Sequence, residues 1–91
     1  MNVRYIKRAA QQIAEALDHI GEQSAARRCA ILRRILEIVA LLQLHPYAGR
    51  STGRLGVRRV ATVPYPYLID YRVTDDTVLV LRFRHGARKP H

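Results

Sequence analysis

Tyr67-Leu68-Ile69-Asp70-Tyr71-Arg72-Val73-Thr74-Asp75-Asp76-Thr77-Val78-Leu79-Val80-Leu81-Arg82-Phe83 is the stretch whose reading decides the fold. Tyr67, Ile69, Tyr71 and Val73 alternate with Leu68, Asp70 and Arg72, which is the period-2 pattern of a strand with one face buried. After Thr74-Asp75-Asp76-Thr77 the alternation resumes, with Val78 and Val80 set against Leu79, Leu81 and Phe83. Two such runs separated by turn formers predict an antiparallel hairpin. Upstream, Val57–Val63 is rich in β-branched residues and reads as a third strand, while Pro64 and Pro66 restrict pairing to the start or the edge of theirs.

Working outward, residues 45–56 hold Pro46, Gly49, Gly53 and Gly56, so they form a loop. Before them the period is helical. From about Arg8, Ala9, Ala10, Ile13, Ala16, Leu17 and Ile20 form one face, Gln11, Glu15, Asp18 and Glu22 the other, and Gly21 is the expected stop. Ser24 suits the N-cap of a second helix running through Cys29, Leu32, Leu36, Val39 and Leu42 to Leu44 and the break at His45-Pro46. Ile31, Ile35, Ile38 and Leu41 widen its apolar arc, which implies packing against both the first helix and a sheet. Val3 and Tyr5 suggest a short N-terminal strand. The expected fold is α+β: a short N-terminal strand and a helical hairpin packed on a three- to four-stranded antiparallel sheet. With 91 residues the chain is expected to make one domain, 1–91.

Composition narrows the function. Sixteen Lys and Arg against seven Asp and Glu give a net charge of +9, and all the cations but Lys7 and Lys89 are arginines. The guanidinium fork suits carboxylate and phosphate alike, so the excess predicts an acidic partner, either a protein segment or nucleic acid. Residues 45–91 carry nine cations and three anions, residues 1–44 seven and four, so the C-terminal half is the expected contact surface. Cys29 has no partner for a disulfide and reads as a small buried hydrophobe. The N-terminus lacks the apolar region of a signal peptide, and the longest apolar run, Ile38–Leu42, is far short of a membrane span, so the expected location is the cytoplasm.

No phosphate loop, nucleophile elbow or Cys/His metal spacing occurs, so neither a metal nor another cofactor is expected. Of the four histidines, His19 and His91 read as surface residues and His45 as a helix-end residue; His85 has arginines around it. Arg82, Arg84, His85 and Arg88 follow the last strand, and Arg58 and Arg59 begin the first strand of the meander. These six are the expected binding residues. Arg58, His85 and Arg88 are also what an RNA-cleaving site would use, with a base for the 2′-hydroxyl and cations for the phosphorane. A second acid/base partner is missing from the sequence around His85, so no catalytic residue is assigned.

Four segments in order, Leu42-Gln43-Leu44-His45-Pro46-Tyr47-Ala48-Gly49-Arg50, Gly56-Val57-Arg58-Arg59, Pro66-Tyr67-Leu68-Ile69-Asp70-Tyr71-Arg72-Val73 and His85-Gly86-Ala87-Arg88, resemble the motifs of ParE-type toxins in the RelE/ParE superfamily of type II toxin-antitoxin systems. The resemblance spans nearly the whole chain. It implies growth inhibition and plasmid stabilisation, a cognate ParD-like antitoxin with a disordered, acidic and amphipathic tail, and DNA gyrase as the target. The RelE branch, whose members are ribosome-dependent mRNA endoribonucleases, carries lysines in the first meander strand, an arginine in the next and a C-terminal tyrosine or histidine. Here Arg58 and Arg59 stand without a lysine, Leu68 replaces that arginine, and Arg88 is matched but no tyrosine follows it. The resemblance thus implies a binder, with the endoribonuclease and a non-toxic basic binding module as alternatives.

Overall fold

The computed structural model describes residues 1–86. Strand β1 (Asn2–Tyr5) is followed by helices α1 (Lys7–Gln23) and α2 (Ala25–Leu44), and then by strands β2 (Arg50–Ser51), β3 (Val57–Ala61), β4 (Tyr67–Thr74) and β5 (Thr77–His85). Ser24 alone joins the two helices. Its backbone N–H donates to the Ile20 carbonyl at 2.8 Å and closes α1, and its hydroxyl accepts from the Arg27 N–H at 3.1 Å and caps α2. Gly21, the expected stop, lies inside α1 instead. A Cβ there would stand 2.9 Å from Arg28 Cδ, so the Arg28 side chain lies across this glycine.

The sheet has five strands in the order β1-β5-β4-β3-β2. It is mixed, not the three- to four-stranded antiparallel sheet read from sequence, because β1 pairs parallel with the Thr77–Val80 half of β5. An antiparallel helical hairpin and an antiparallel meander lie between the two strands, so β5 runs in the direction in which β1 began. The glycine-rich loop contributes the fifth strand. Thr52 Oγ1 donates to the Val57 carbonyl at 2.9 Å and accepts from the Arg54 N–H, and Gly56 adopts φ +74°, which folds β2 back onto β3. Asp75, at φ +43°, opens the two-residue turn expected between β4 and β5.

One register detail decides which side chains face the helices. Tyr71 pairs with Val80 but Asp70 pairs with Arg82, so Leu81 is an extra residue in β5 and its alternation reverses there. Val78, Val80 and Phe83 therefore share the covered face with Ile69 and Tyr71. Strict alternation along the sequence sets Phe83 against Val78 and Val80, and the extra residue reverses that. These residues pack on Ala9, Leu17 and Ile20 of α1 and Ile31, Ile35, Ile38 and Leu42 of α2 in one hydrophobic core. Cys29 is exposed, not buried, because it lies off the Ile31-Ile35-Ile38-Leu42 stripe of α2. Among the described residues no helix is long and apolar enough to cross a membrane.

Candidate functional site

Five of the six residues singled out in the sequence lie among the described residues, and they fall into two groups. Arg58 and Arg59 sit on β3 and both are engaged within the fold. The Arg58 guanidinium donates to the Gly49 carbonyl at 2.7 Å and the Tyr47 carbonyl at 3.3 Å, and lies 5.1 Å from the centre of the Tyr47 ring. Beside it, the Tyr71 hydroxyl donates to the Pro46 carbonyl at 2.7 Å and accepts from the Gly49 N–H at 2.9 Å. Together these two side chains fasten the segment after α2 to the sheet. Burial raises the Tyr71 pKa above its ordinary value, against the opposing pull of the Gly49 N–H and the Arg58 charge.

Arg59 makes a two-pronged bond to Asp70, Nε to Oδ1 at 2.7 Å and a terminal nitrogen to Oδ2 at 3.2 Å. The hydrogen bond that Arg59 donates to Asp70 raises the Arg59 pKa further. Strand register puts these residues opposite each other, eleven positions apart in the chain.

Arg82, Arg84 and His85 lie at the other side of the sheet, on β5. β1 pairs only as far as Val80, so from Leu81 onward the outer edge of β5 has no neighbouring strand among the described residues. Helix α1 stands across that gap, and Gln12 Oε1 accepts the Phe83 N–H at 2.9 Å. A groove of about 940 Å³ opens between them, lined by Gln12, Glu15 and His19 of α1 and by Arg82, Arg84 and His85 of β5. The Nε–H groups of Arg82 and Arg84 are buried and find no acceptor among the described residues. A buried donor without an acceptor is costly, so each needs a water, an ion or a partner group to complete it. His85 closes an aromatic ladder: its ring meets Tyr67 edge-on at 5.4 Å, and Tyr67 stacks on Phe83 at 5.0 Å.

Arg58 and His85 are not brought together. Arg58 is opposite Tyr71 and His85 opposite Tyr67, four residues apart along β4 or about 13 Å at strand rise, with a further strand between them. Arg88 lies outside the described residues. The groove wall on α1 escaped sequence reasoning, although Gln12, Glu15, His19 and Gln23 recur at helical spacing. Among the described residues no group of His, Cys, Asp or Glu is arranged to hold a metal ion.

The fold and the groove define a small arginine-rich α+β domain whose unpaired strand edge lies beside buried, uncompleted arginine donors. The family model for the ParE toxin of type II toxin-antitoxin systems, parDE, matches residues 3–90, and the chain belongs to that family. It is 38% identical over 84 residues to Toxin RelE2 of Caulobacter vibrioides, covering 89% of this chain and 90% of that protein. The chromosomal ParDE toxin-antitoxin system from P. aeruginosa includes a chain of the same fold, with a TM-score of 0.79, 24% identity, and 93% of this chain and 95% of that one covered.

Proposed function

We propose that this type II toxin acts by binding, with DNA gyrase as its target, and that an antitoxin neutralises it in the cytoplasm. The observation that carries the binding mode is the pair of uncompleted donors on Arg82 and Arg84 beside the open edge of β5. They offer charge-assisted hydrogen bonds to an incoming carboxylate or phosphate. Membership of the ParE family supports gyrase as the target. The test is a supercoiling assay with the purified chain: inhibited supercoiling or trapped, cleaved DNA is expected, and unimpaired gyrase at saturating toxin refutes it.

The proposed antitoxin segment is acidic and amphipathic, disordered when free. It enters the groove between α1 and β5, sets carboxylates against Arg82 and Arg84, and extends the sheet along the unpaired edge. Arg58, Arg59 and Arg88 complete the proposed basic contact set, the first two through the strand they stiffen. Association should slow with salt and with charge reversal of Arg84.

A second reading is favoured by one contact and one name. Tyr67 lies against His85, supplying beside it the second proton-transfer group that the local sequence lacks, and the Caulobacter relative is named RelE2. On this reading the chain is an mRNA endoribonuclease using His85 and Tyr67 with Arg88, while Arg58, about 13 Å away along β4, serves the fold. Mapping message ends after induction decides it: codon-positioned cuts favour the nuclease, and intact messages exclude it.

A further inference from the structure

The helices cover only one face of the sheet. On the other, register aligns Arg50, Arg59, Asp70 and Arg82 in one row across four strands, Arg4, Leu79, Arg72 and Val57 in the next, and Arg84, Leu68 and Ala61 in a third. By register the face carries six arginines and one carboxylate; Asp70 is already held by Arg59, and Arg82 and Arg84 stand at the β5 edge, where they also line the groove against α1. The only other ion pair among the described residues, Arg34–Glu37, lies on α2. Five of the six arginines thus have no carboxylate partner among the described residues, and Arg4, Arg50 and Arg72 are exposed. At a strand spacing of about 4.8 Å and a rise of about 3.4 Å, the patch extends about 19 Å across the five strands from Arg4 to Arg50 and about 14 Å along them.

We propose that this helix-free sheet face binds the phosphate backbone of duplex DNA directly and without regard to sequence. Three observations select that partner. The charge is concentrated and nearly uncompensated, which suits a polyanion with one charge per about 1.7 Å of its axis. No aromatic residue stands at any of the eleven aligned positions, so the stacking platform that single-stranded nucleic acid uses is missing. The exposed large hydrophobic residues, among them Leu36, Leu44, Tyr47 and Leu55, lie elsewhere, and Val57, Leu68 and Leu79 on this face are buried or half-buried among the arginines, so it offers no exposed apolar centre of a protein interface. What remains is a field of guanidinium forks broad enough to span the ~12 Å major groove and contact phosphates on both of its banks. DNA binding here does not require gyrase to be the target, since it is a property of the toxin alone.

The experiment is fluorescence anisotropy of a labelled 20-base-pair duplex of arbitrary sequence titrated with the purified chain between 50 and 200 mM salt. The expected result is binding that weakens with salt at a logarithmic slope of about −4, from about −0.9 for each phosphate neutralised. Arg4→Ala/Arg72→Ala should lower affinity at least tenfold at low salt and reduce the slope by about 2. Arg8→Ala/Arg33→Ala removes the same charge from exposed helix positions; it should change affinity less than threefold. Equal weakening by both pairs would mean that net charge alone attracts DNA and would overturn the proposal. So would tighter binding to single-stranded RNA or polyglutamate than to the duplex, or no binding at all. Circular dichroism of each variant shows that the chain compared is folded.

Discussion

Arg58 and Arg59 on β3 and Arg82 and Arg84 on β5 are the same side chain in opposite situations. The first pair is met inside the fold, Arg58 by two carbonyls and a ring, Arg59 by both oxygens of Asp70. The second pair has buried Nε–H groups and no acceptor among the described residues. All four looked alike as basic residues at strand ends, yet one pair is committed to holding the sheet and the other has no acceptor for its Nε–H groups among the described residues. Charge therefore locates function only after internal partners are subtracted.

The sharpest way to break that contrast is at Asp70. Asp70→Ala leaves Arg59 part-buried and unpaired and should cost about 3 kcal/mol in urea denaturation; a loss below about 1 kcal/mol would show that the pair is not structural. The fastening of the segment after α2 comes next. Tyr71→Phe removes a donor to Pro46 and strands the Gly49 N–H, for about 2 kcal/mol. Gly49→Ala should cost at least as much, since its Cβ would meet the Tyr71 hydroxyl at 2.6 Å. Tyr71 also gives a pH signature. Its pKa is raised in the folded state, so its contribution is fully present below about pH 10, the unfolded value, and is lost as pH rises through the folded one. A stability curve measured from pH 8 upward should fall more steeply for the parent than for Tyr71→Phe.

The smallest stability effect, about 0.5 kcal/mol or less, is expected for Arg82→Ala and Arg84→Ala, whose buried donors have no internal bond to lose. Toxicity should respond in the opposite order. A stability loss above about 2 kcal/mol in either variant would place these arginines with Arg58 and Arg59.

Much of this arrangement was readable from local chemistry. Ser24 as a cap, Asp75-Asp76 as a turn and the helical spacing through Ile31, Ile35 and Ile38 each depend on residues a few positions apart, and each appears as expected. Features that depend on long-range pairing did not. Nothing in Asn2–Tyr5 announces a parallel partner more than seventy residues away, and the acceptance of the Phe83 N–H by Gln12 is of the same kind. The extra residue Leu81 is hidden for a different reason: Val78-Leu79-Val80-Leu81 is apolar throughout, so a reversal of its alternation leaves no trace in composition. The Arg59–Asp70 pair appears only once β3 and β4 are in register. At the candidate site, Arg82, Arg84 and His85 could be named from sequence, but the α1 wall that makes a groove of them could not.

The division between committed and available arginines is tested most directly by growth arrest on induction, normalised to the folded protein in the same cells. Arg82→Ala/Arg84→Ala should reach parental levels of folded protein and lose at least tenfold in arrest, whereas Arg58→Ala should lose arrest only in proportion to the folded protein it loses. Full arrest by the folded Arg82→Ala/Arg84→Ala variant would contradict the assignment of β5 as the working edge.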